Sequence, residues 1–286
     1  MLRVAVPNKG MLAEPASLML RESGYRQRSS SSELAILDPD NDVEFFYLRP
    51  RDVAVYVGSG TVDVGITGRD MLLDAQAEAD ELLALDFGQS TFRFAAPDDG
   101  PSTVAELAGL RVATAYPGLL SKYLAELGVA ADVIGLDGAV ETACRLGVAD
   151  AVADVVSTGT TLRTAGLSVI GEPLLESEAV LIRPRKGDRK GDTAGAAVRQ
   201  LIRRLQGVLV ARQYVLMDYD CPVEVLEAAC EITPGLEGPT VSPLRKQGWV
   251  AVRSMVVRAD TNRIMDDLWL VGARAILVTD IHACRI

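Results

Sequence analysis

The chain has 286 residues, 49% hydrophobic and 24% charged, which is the profile of a soluble globular protein with material for two or three cores. Its 29 Lys and Arg against 39 Asp and Glu leave a net charge of −10, the wrong balance for a nucleic-acid binder that works by neutralising phosphates. The four cysteines form no CxxC pair and there is one histidine, so disulfide scaffolds, zinc modules and Ser-His-Asp hydrolases are disfavoured.

Taken in chain order, the apolar run from Leu2 predicts a buried strand ending in Pro7-Asn8-Lys9-Gly10, followed by a helix over Leu12 to Arg21. The start of the chain shows no signal-peptide stretch, and no apolar run approaches the roughly 18 residues that cross a bilayer. A cytosolic protein without membrane contact is the expectation. A helix over Arg51 to Val57 leads to Gly58-Ser59-Gly60. These glycines follow a helix rather than a strand and lack the third glycine of a dinucleotide fingerprint, so NAD binding is rejected. They are retained only as candidate nucleotide contacts. A strand through Val62 to Thr67 then reaches Gly68-Arg69-Asp70.

Leu110 to Gly118 repeats the plan of Leu2 to Gly10: a strand, a Pro and a Gly, then a helix over Leu119 to Leu127. Gly147 to Asp154 likewise repeats Gly60 to Thr67, each reading as a helix that ends at a glycine before an acidic turn and a strand. Strands alternating with helices at this spacing predict parallel α/β units in two similar lobes, near residues 1–90 and 91–183. A crevice is expected where their strand ends face one another.

The segment Ala151 to Leu162 is the most informative. An apolar strand delivers Asp154, and Ser157-Thr158-Gly159-Thr160-Thr161 opens a helix. Free N–H groups, a glycine that allows close approach and several hydroxyls suit a phosphate monoester. The same residues also suit a plain Ser/Thr helix cap. Arg183 to Asp192 reads as a solvated charged loop, and Val198, Leu201, Ile202, Leu205 and Val208 mark an amphipathic helix expected to pack back on the first lobe. The last third reads as a strand from Tyr214, a helix from Pro222 to Cys230, an extended piece within Gly235 to Pro243, a strand over Trp249 to Val257, a helix over Asn262 to Val271 and a strand over Ala275 to Thr279. That βαββαβ order is ferredoxin-like.

Glu141, Gly147, Ala149, Val152, Asp154, Val155 and Thr158-Gly159-Thr160-Thr161-Leu162 together resemble the signature of the ATP phosphoribosyltransferase family, in its long, actinobacterial form. Pro7-Asn8-Lys9-Gly10, Leu48-Arg49-Pro50, Gly65 to Asp70 and Gly171-Glu172 extend the likeness over essentially the whole chain; Met11 stands where many members carry arginine. The resemblance implies two periplasmic-binding-protein-like α/β lobes forming a catalytic cleft, with a C-terminal ferredoxin-like (ACT-like) regulatory domain. Residues 1–90 plus 184–211 would form catalytic domain I, 91–183 domain II and 212–286 the regulatory domain.

It also implies ATP and 5-phosphoribosyl 1-pyrophosphate (PRPP) as substrates, with Mg²⁺, giving N1-(5-phosphoribosyl)-ATP and pyrophosphate in the first step of histidine biosynthesis. Ser157 to Thr161 would hold the 5-phosphate, Asp154 and Glu141 the ribose hydroxyls, and Lys9 and Arg49 the pyrophosphate with Mg²⁺, whose ligands are not identified. Asp70 and Tyr116 would meet the nucleotide. Glu141 also reads as a helix N-terminal acid, Lys9 and Arg49 as surface groups, and Tyr116 as a core residue between lobes. Asp220, Leu236, Thr240 and Ala275 would bind L-histidine as feedback inhibitor; Asp220 also reads as a helix cap. The family alternates between dimers and hexamers. The rival readings are a non-catalytic two-lobed binding protein and a ligand-sensing regulator.

Overall fold

The computed structural model describes residues 1–156, 159–185 and 192–285. It divides into two compact units, residues 1–21 with 25–199 and residues 22–24 with 200–286.

The first unit begins with β1 (Leu2–Pro7), α1 (Ala13–Glu22), β2 (Ala35–Asp38), β3 (Val43–Leu48), α2 (Pro50–Gly58), β4 (Val64–Gly68), α3 (Arg69–Asp74) and β5 (Ala79–Ala84). The chain then leaves for a second sheet through β6 (Ser90–Pro97), β7 (Arg111–Thr114), α4 (Pro117–Leu127), β8 (Asp132–Gly135), β9 (Ala151–Val156), α5 (Thr160–Thr164) and β10 (Leu167–Ser177). It returns with β11 (Ala179–Pro184). The six-stranded sheet has the order β2-β3-β1-β4-β11-β5 and the five-stranded sheet β10-β6-β9-β7-β8. In the first, the parallel pairs lie inside the sheet, with β1 between β3 and β4; in the second they occupy one end, with β7 between β9 and the edge strand β8. Central strands of this kind are buried on both faces, which is why Leu2 to Val6 and Ala151 to Ala153 read as nearly unbroken apolar runs.

β11 belongs to the first-lobe sheet, pairing antiparallel with β4 and β5, although the sequence reading had assigned everything to residue 183 to the second lobe. The chain therefore crosses between the lobes twice. The crossing strands touch: Leu85 donates to the Ala179 carbonyl at 2.9 Å, Ala179 to the Phe87 carbonyl at 2.9 Å, and the Asp86 amide to the Glu178 carboxylate at 3.0 Å. Each lobe has its own core. Ala5, Val53, Ala54, Val57, Val180 and Ile182 cluster in the first, and Phe92, Phe94, Leu107, Val112, Leu119 and Leu120 in the second. At about 1.5–3 kcal/mol for each large side chain fully buried, each lobe carries its own driving force.

The predicted helix before Gly147 is absent. A three-residue 3₁₀ turn, Val140–Thr142, is followed by turns up to Gly147, whose φ of +69° suits only glycine without strain. The charged-loop reading of 183–192 falls largely on 186–191, outside the described residues.

Helix α6 (Asp192–Gln213) is assigned up to Arg199 to the first unit and from Gln200 to the second. The second unit continues with β12 (Tyr214–Pro222), α7 (Leu226–Ile232), β13 (Thr240–Pro243), β14 (Trp249–Val257), α8 (Thr261–Leu270) and β15 (Arg274–Asp280). Its sheet is antiparallel in the order β13-β14-β12-β15, the ferredoxin-like arrangement. Alternation along β12 sends Val215, Met217, Tyr219 and Cys221 into the core with Val252, Val256, Ile264 and Leu268. The helix predicted from Pro222 starts four residues later, because a 3₁₀ turn over Val223–Val225 intervenes. No described helix is long and apolar enough to cross a membrane.

Candidate active site

The strands β1, β3, β4, β7 and β9 all end on loops that carry candidate residues. The Asn8 amide donates to the Leu48 carbonyl at 2.8 Å, which sets Lys9 beside Arg49 at the rim of the first lobe. Both side chains are exposed, and among the described residues neither is held in an ion pair. The Asn8 carbonyl accepts from the Arg28 guanidinium at 2.9 Å, whereas the buried Asn8 side-chain oxygen has no partner among the described atoms. Arg49 caps α2, with Pro50 at the first helical position, where its missing N–H costs nothing.

Asp70, at the start of α3, is buried at 5% exposure. Its carboxylate accepts the Ser177 hydroxyl at 2.8 Å, and its backbone N–H donates to the same hydroxyl at 3.0 Å. Gly68 makes room for this: a Cβ there would lie 2.2 Å from the Asp70 carboxylate. Tyr116 is also buried, edge-on to Phe92 at 5.8 Å between centroids, with the Arg51 guanidinium 4.6 Å from its ring centre. Burial, then the Asp70 charge and the hydrogen bond to it, push its phenol well above the ordinary range. In this conformation Tyr116 is a residue of the contact between the lobes.

Asp154 lies two residues before the end of β9, opposite Arg93 of β6. Its carboxylate accepts the Val155 N–H at 2.8 Å. Burial is the largest influence and raises its pKa to about 6; the Val155 hydrogen bond and Arg51 pull it down, and Glu141 and Asp70 push it up. The same electrostatic neighbourhood therefore gathers Asp154, Glu141, Asp70 and Arg51. Glu141 sits in the 3₁₀ turn, so no helix dipole accounts for its position.

Ser157 and Thr158 lie outside the described residues. Gly159 has φ +69°, and Thr160 and Thr161 stand exposed at the start of α5. That helix has only five residues, too short for a large dipole, so its contribution to an anion would come from local N–H and hydroxyl donors. The Thr164 hydroxyl closes on the Thr160 carbonyl at 2.9 Å, and Leu162 anchors the turn in the lobe core.

Gly58, Ser59 and Gly60 do not reach the cleft. They turn at the far end of α2, about 13 Å of helix from Arg49. The Ser59 hydroxyl is occupied by the Tyr56 carbonyl at 3.0 Å and faces Thr61 at 2.9 Å, while Gly58 packs on Ala77. Their role is to end a helix and turn into β4. Two residues that the sequence reading passed over do reach the contact between lobes. Arg51 pairs with Asp74 at 3.0 Å and donates to the Ala115 carbonyl, and Asp74 accepts the Gly118 and Leu119 amides at 3.0 and 3.1 Å. The first is signalled only by its nearness to Arg49; the second has partners more than forty residues away and no local signal.

In the second unit, Asp220 lies within β12 opposite Ala251 and Arg274, six residues before α7, and so caps no helix. Ala275 follows in β15 with φ +50°, at a bulge where Ala275 and Ile276 stand opposite the single Tyr219. Thr240 opens the edge strand β13 opposite Arg253, and Leu236 lies exposed in the preceding loop. Three strand spacings, about 14 Å, separate the β13 and β15 edges, so a single chain does not bring all four residues together.

A family model for ATP phosphoribosyltransferase matches residues 49–207, and one for the C-terminal domain of the same family matches 211–283. The ATP phosphoribosyltransferase of Arthrobacter sp. (strain FB24) is 65% identical over 286 residues, covering all of both chains. That of Streptomyces coelicolor is 60% identical, again over both full lengths. Among solved structures, the ATP phosphoribosyl transferase (HisG:HisZ) complex from Thermotoga maritima matches with a TM-score of 0.61 and 26% identity, over 72% of this chain and 97% of that one.

A two-lobed α/β body with a carboxylate and a hydroxyl-bearing turn at its strand ends, and relatives of this kind over the full length, define a phosphoribosyl-transferring enzyme of the glycosyltransferase class. The chain belongs to the ATP phosphoribosyltransferase family, which serves histidine biosynthesis.

Proposed function

We propose that the enzyme transfers the 5-phosphoribosyl group of PRPP to N1 of ATP, releasing pyrophosphate, and that L-histidine binding in the second unit inhibits it. The observation that carries the reading is the pairing of one half-buried carboxylate, Asp154, with an exposed hydroxyl turn on one lobe and, on the other, two cations without an ion-pair partner among the described residues.

Displacement at the sugar C1 passes through a cationic, oxocarbenium-like state. Adenine N1 already holds its lone pair, so no deprotonating base is required and a site without histidine is adequate. The protein's task is to align two polyanions and stabilise separating charge. Thr160, Thr161 and the Gly159 turn, with Ser157 and Thr158, hold the 5-phosphate. Asp154 accepts a ribose hydroxyl, and its charge, with that of Glu141, favours the transient positive sugar. Lys9 and Arg49 receive the departing pyrophosphate. Asp70 and Tyr116 contribute to the nucleotide side.

Among the described residues no three His, Cys, Asp or Glu side chains gather to hold a metal. Mg²⁺ commonly binds through one or two carboxylates plus substrate phosphates and waters. Glu141 and Asp154 are the carboxylates available beside the phosphate turn for such an ion, which would supply charge neutralisation on the pyrophosphate.

Residues 1–90 with the returning segment from Ala179 to residue 211, and residues 91–178, serve as the catalytic lobes, and 212–286 as the regulatory domain. A ligand touching Asp220 and Ala275 as well as Leu236 and Thr240 would bridge two copies, consistent with a homo-oligomer that alternates between dimer and hexamer. Inhibition then requires two states that histidine binds unequally. A cytosolic location follows the same reading.

The test mixes protein, ATP, PRPP and Mg²⁺ and follows pyrophosphate and the new ultraviolet-absorbing nucleotide. Product formation that histidine suppresses is expected. Folded protein that makes no product would overturn the activity, and product insensitive to histidine would overturn only the regulation.

A further inference from the structure

Helix α4 begins without a cap of its own. Tyr116, its N-cap residue, makes no side-chain capping bond, and Pro117 has no N–H. The next two amides, Gly118 and Leu119, instead donate to one oxygen of Asp74 from the other lobe, at 3.0 and 3.1 Å. The second Asp74 oxygen accepts the Arg51 guanidinium at 3.0 Å, and Arg51 reaches on to the Ala115 carbonyl and covers the Tyr116 ring. Gln76 adds a bond to the Gly118 carbonyl at 3.3 Å. The fit is close: a Cβ on Gly118 would lie 2.3 Å from the Asp74 carbonyl oxygen, which is backbone and cannot swing aside.

Capping a helix normally uses a residue adjacent in sequence. Here the acceptor is supplied across the cleft, so the cap exists only while the lobes are together. We propose that Asp74 and Arg51 are positioning residues that latch the two lobes in the absence of substrate, holding Tyr116 and Asp70 in register with the phosphate turn. The kinetic arm of this proposal rests on the phosphoribosyl-transfer reading; the structural arm does not. A protein that must close before it binds has its apparent affinity reduced by the fraction closed, and the latch removes that penalty.

The experiment compares the full-length wild-type protein with Asp74→Ala and Gly118→Ala. The first removes the acceptor, and the second wedges the same contact without altering a charge. Unliganded variants should show a larger radius of gyration by small-angle scattering and at least about tenfold faster amide exchange at Gly118 and Leu119. Each opened variant meets the closing penalty once, through whichever substrate binds first. The KM of that substrate should rise about tenfold while kcat, with both substrates saturating, stays within about twofold. A merely structural role would lower kcat through loss of active protein and leave KM alone. That pattern, or unchanged scattering in both variants, would overturn the proposal. Should Asp74→Ala fail to fold, Gly118→Ala decides alone. If the wild-type protein made no product, the proposed reaction would fall, and the scattering comparison would still decide whether the latch holds the lobes.

Discussion

The two rims of the cleft are prepared for their ligands in opposite ways. On the first lobe, Lys9 and Arg49 stand exposed and among the described residues have no ion-pair partner, so they are fully solvated and wait for an anion. On the second, Asp154 is half-buried and carries a pKa raised to about 6, chiefly by desolvation, with Glu141 and Asp70 adding to the repulsion. Solvated cations are cheap to keep and bind a polyanion through charge, in a salt-dependent way. A desolvated carboxylate costs stability and is retained where its charge matters in the reaction. In the proposed reaction, affinity would fall to one rim and chemistry to the other.

The sharpest way to break that division is Asp154→Ala, for which turnover should fall about a thousandfold or more, measured as pyrophosphate release by folded protein. Turnover that survives intact would mean that this carboxylate is a structural group. Next come Lys9→Met and Arg49→Met, each expected to raise the KM for PRPP by about ten- to a hundredfold with a smaller change in kcat, and to flatten the dependence on ionic strength. A loss confined to kcat would place chemistry on the first rim as well.

The pH dependence sharpens the comparison further. In the proposed role at the sugar Asp154 acts ionised, so kcat/KM for PRPP should rise with pH through about 6 and level off above it. Stability runs the other way. Because the folded-state pKa lies above the unfolded value of 3.8, folded protein binds the proton more tightly, and stability falls as pH rises from about 4 to about 6. Asp154→Asn should therefore melt at a higher temperature than wild type at pH 8 and lose that advantage near pH 4. Glu141→Gln removes one of the charges that raise Asp154 and should shift the activity limb toward lower pH, read from the same profile.

The smallest expected effect lies outside the cleft. Ala275 holds a left-handed backbone at the β15 bulge, so Ala275→Gly should stabilise the second unit by about 0.5–1 kcal/mol in a denaturant titration.

Much of this architecture was legible because buried parallel strands announce themselves. The runs at Val4 to Val6 and Ala151 to Ala153 are apolar on both faces, and each leads to turn residues that start the next element. The antiparallel C-terminal sheet followed from the βαββαβ order of elements between Tyr214 and Thr279. Local signals failed where position in space decides. Glycine spacing at Gly58 to Gly60 does not say at which end of a sheet a turn falls, and it fell at the end away from the cleft. Tyr116 carried two readings in the sequence, and only the packing of Phe92 and Arg51 around it shows the contact between lobes. Asp74 is one acid among many until Gly118 is seen to lie against it, and the burial that raises the Asp154 pKa belongs to the assembled lobe.

The double passage of the chain between the lobes has a mechanical result. Two adjacent segments, stitched by Leu85 to Ala179, Ala179 to Phe87 and Asp86 to Glu178, act as a ribbon with little freedom to shear or slide. Separation of the lobes is thereby reduced to swinging about one line, like a door hung on paired pins, and the same groups meet each time it shuts.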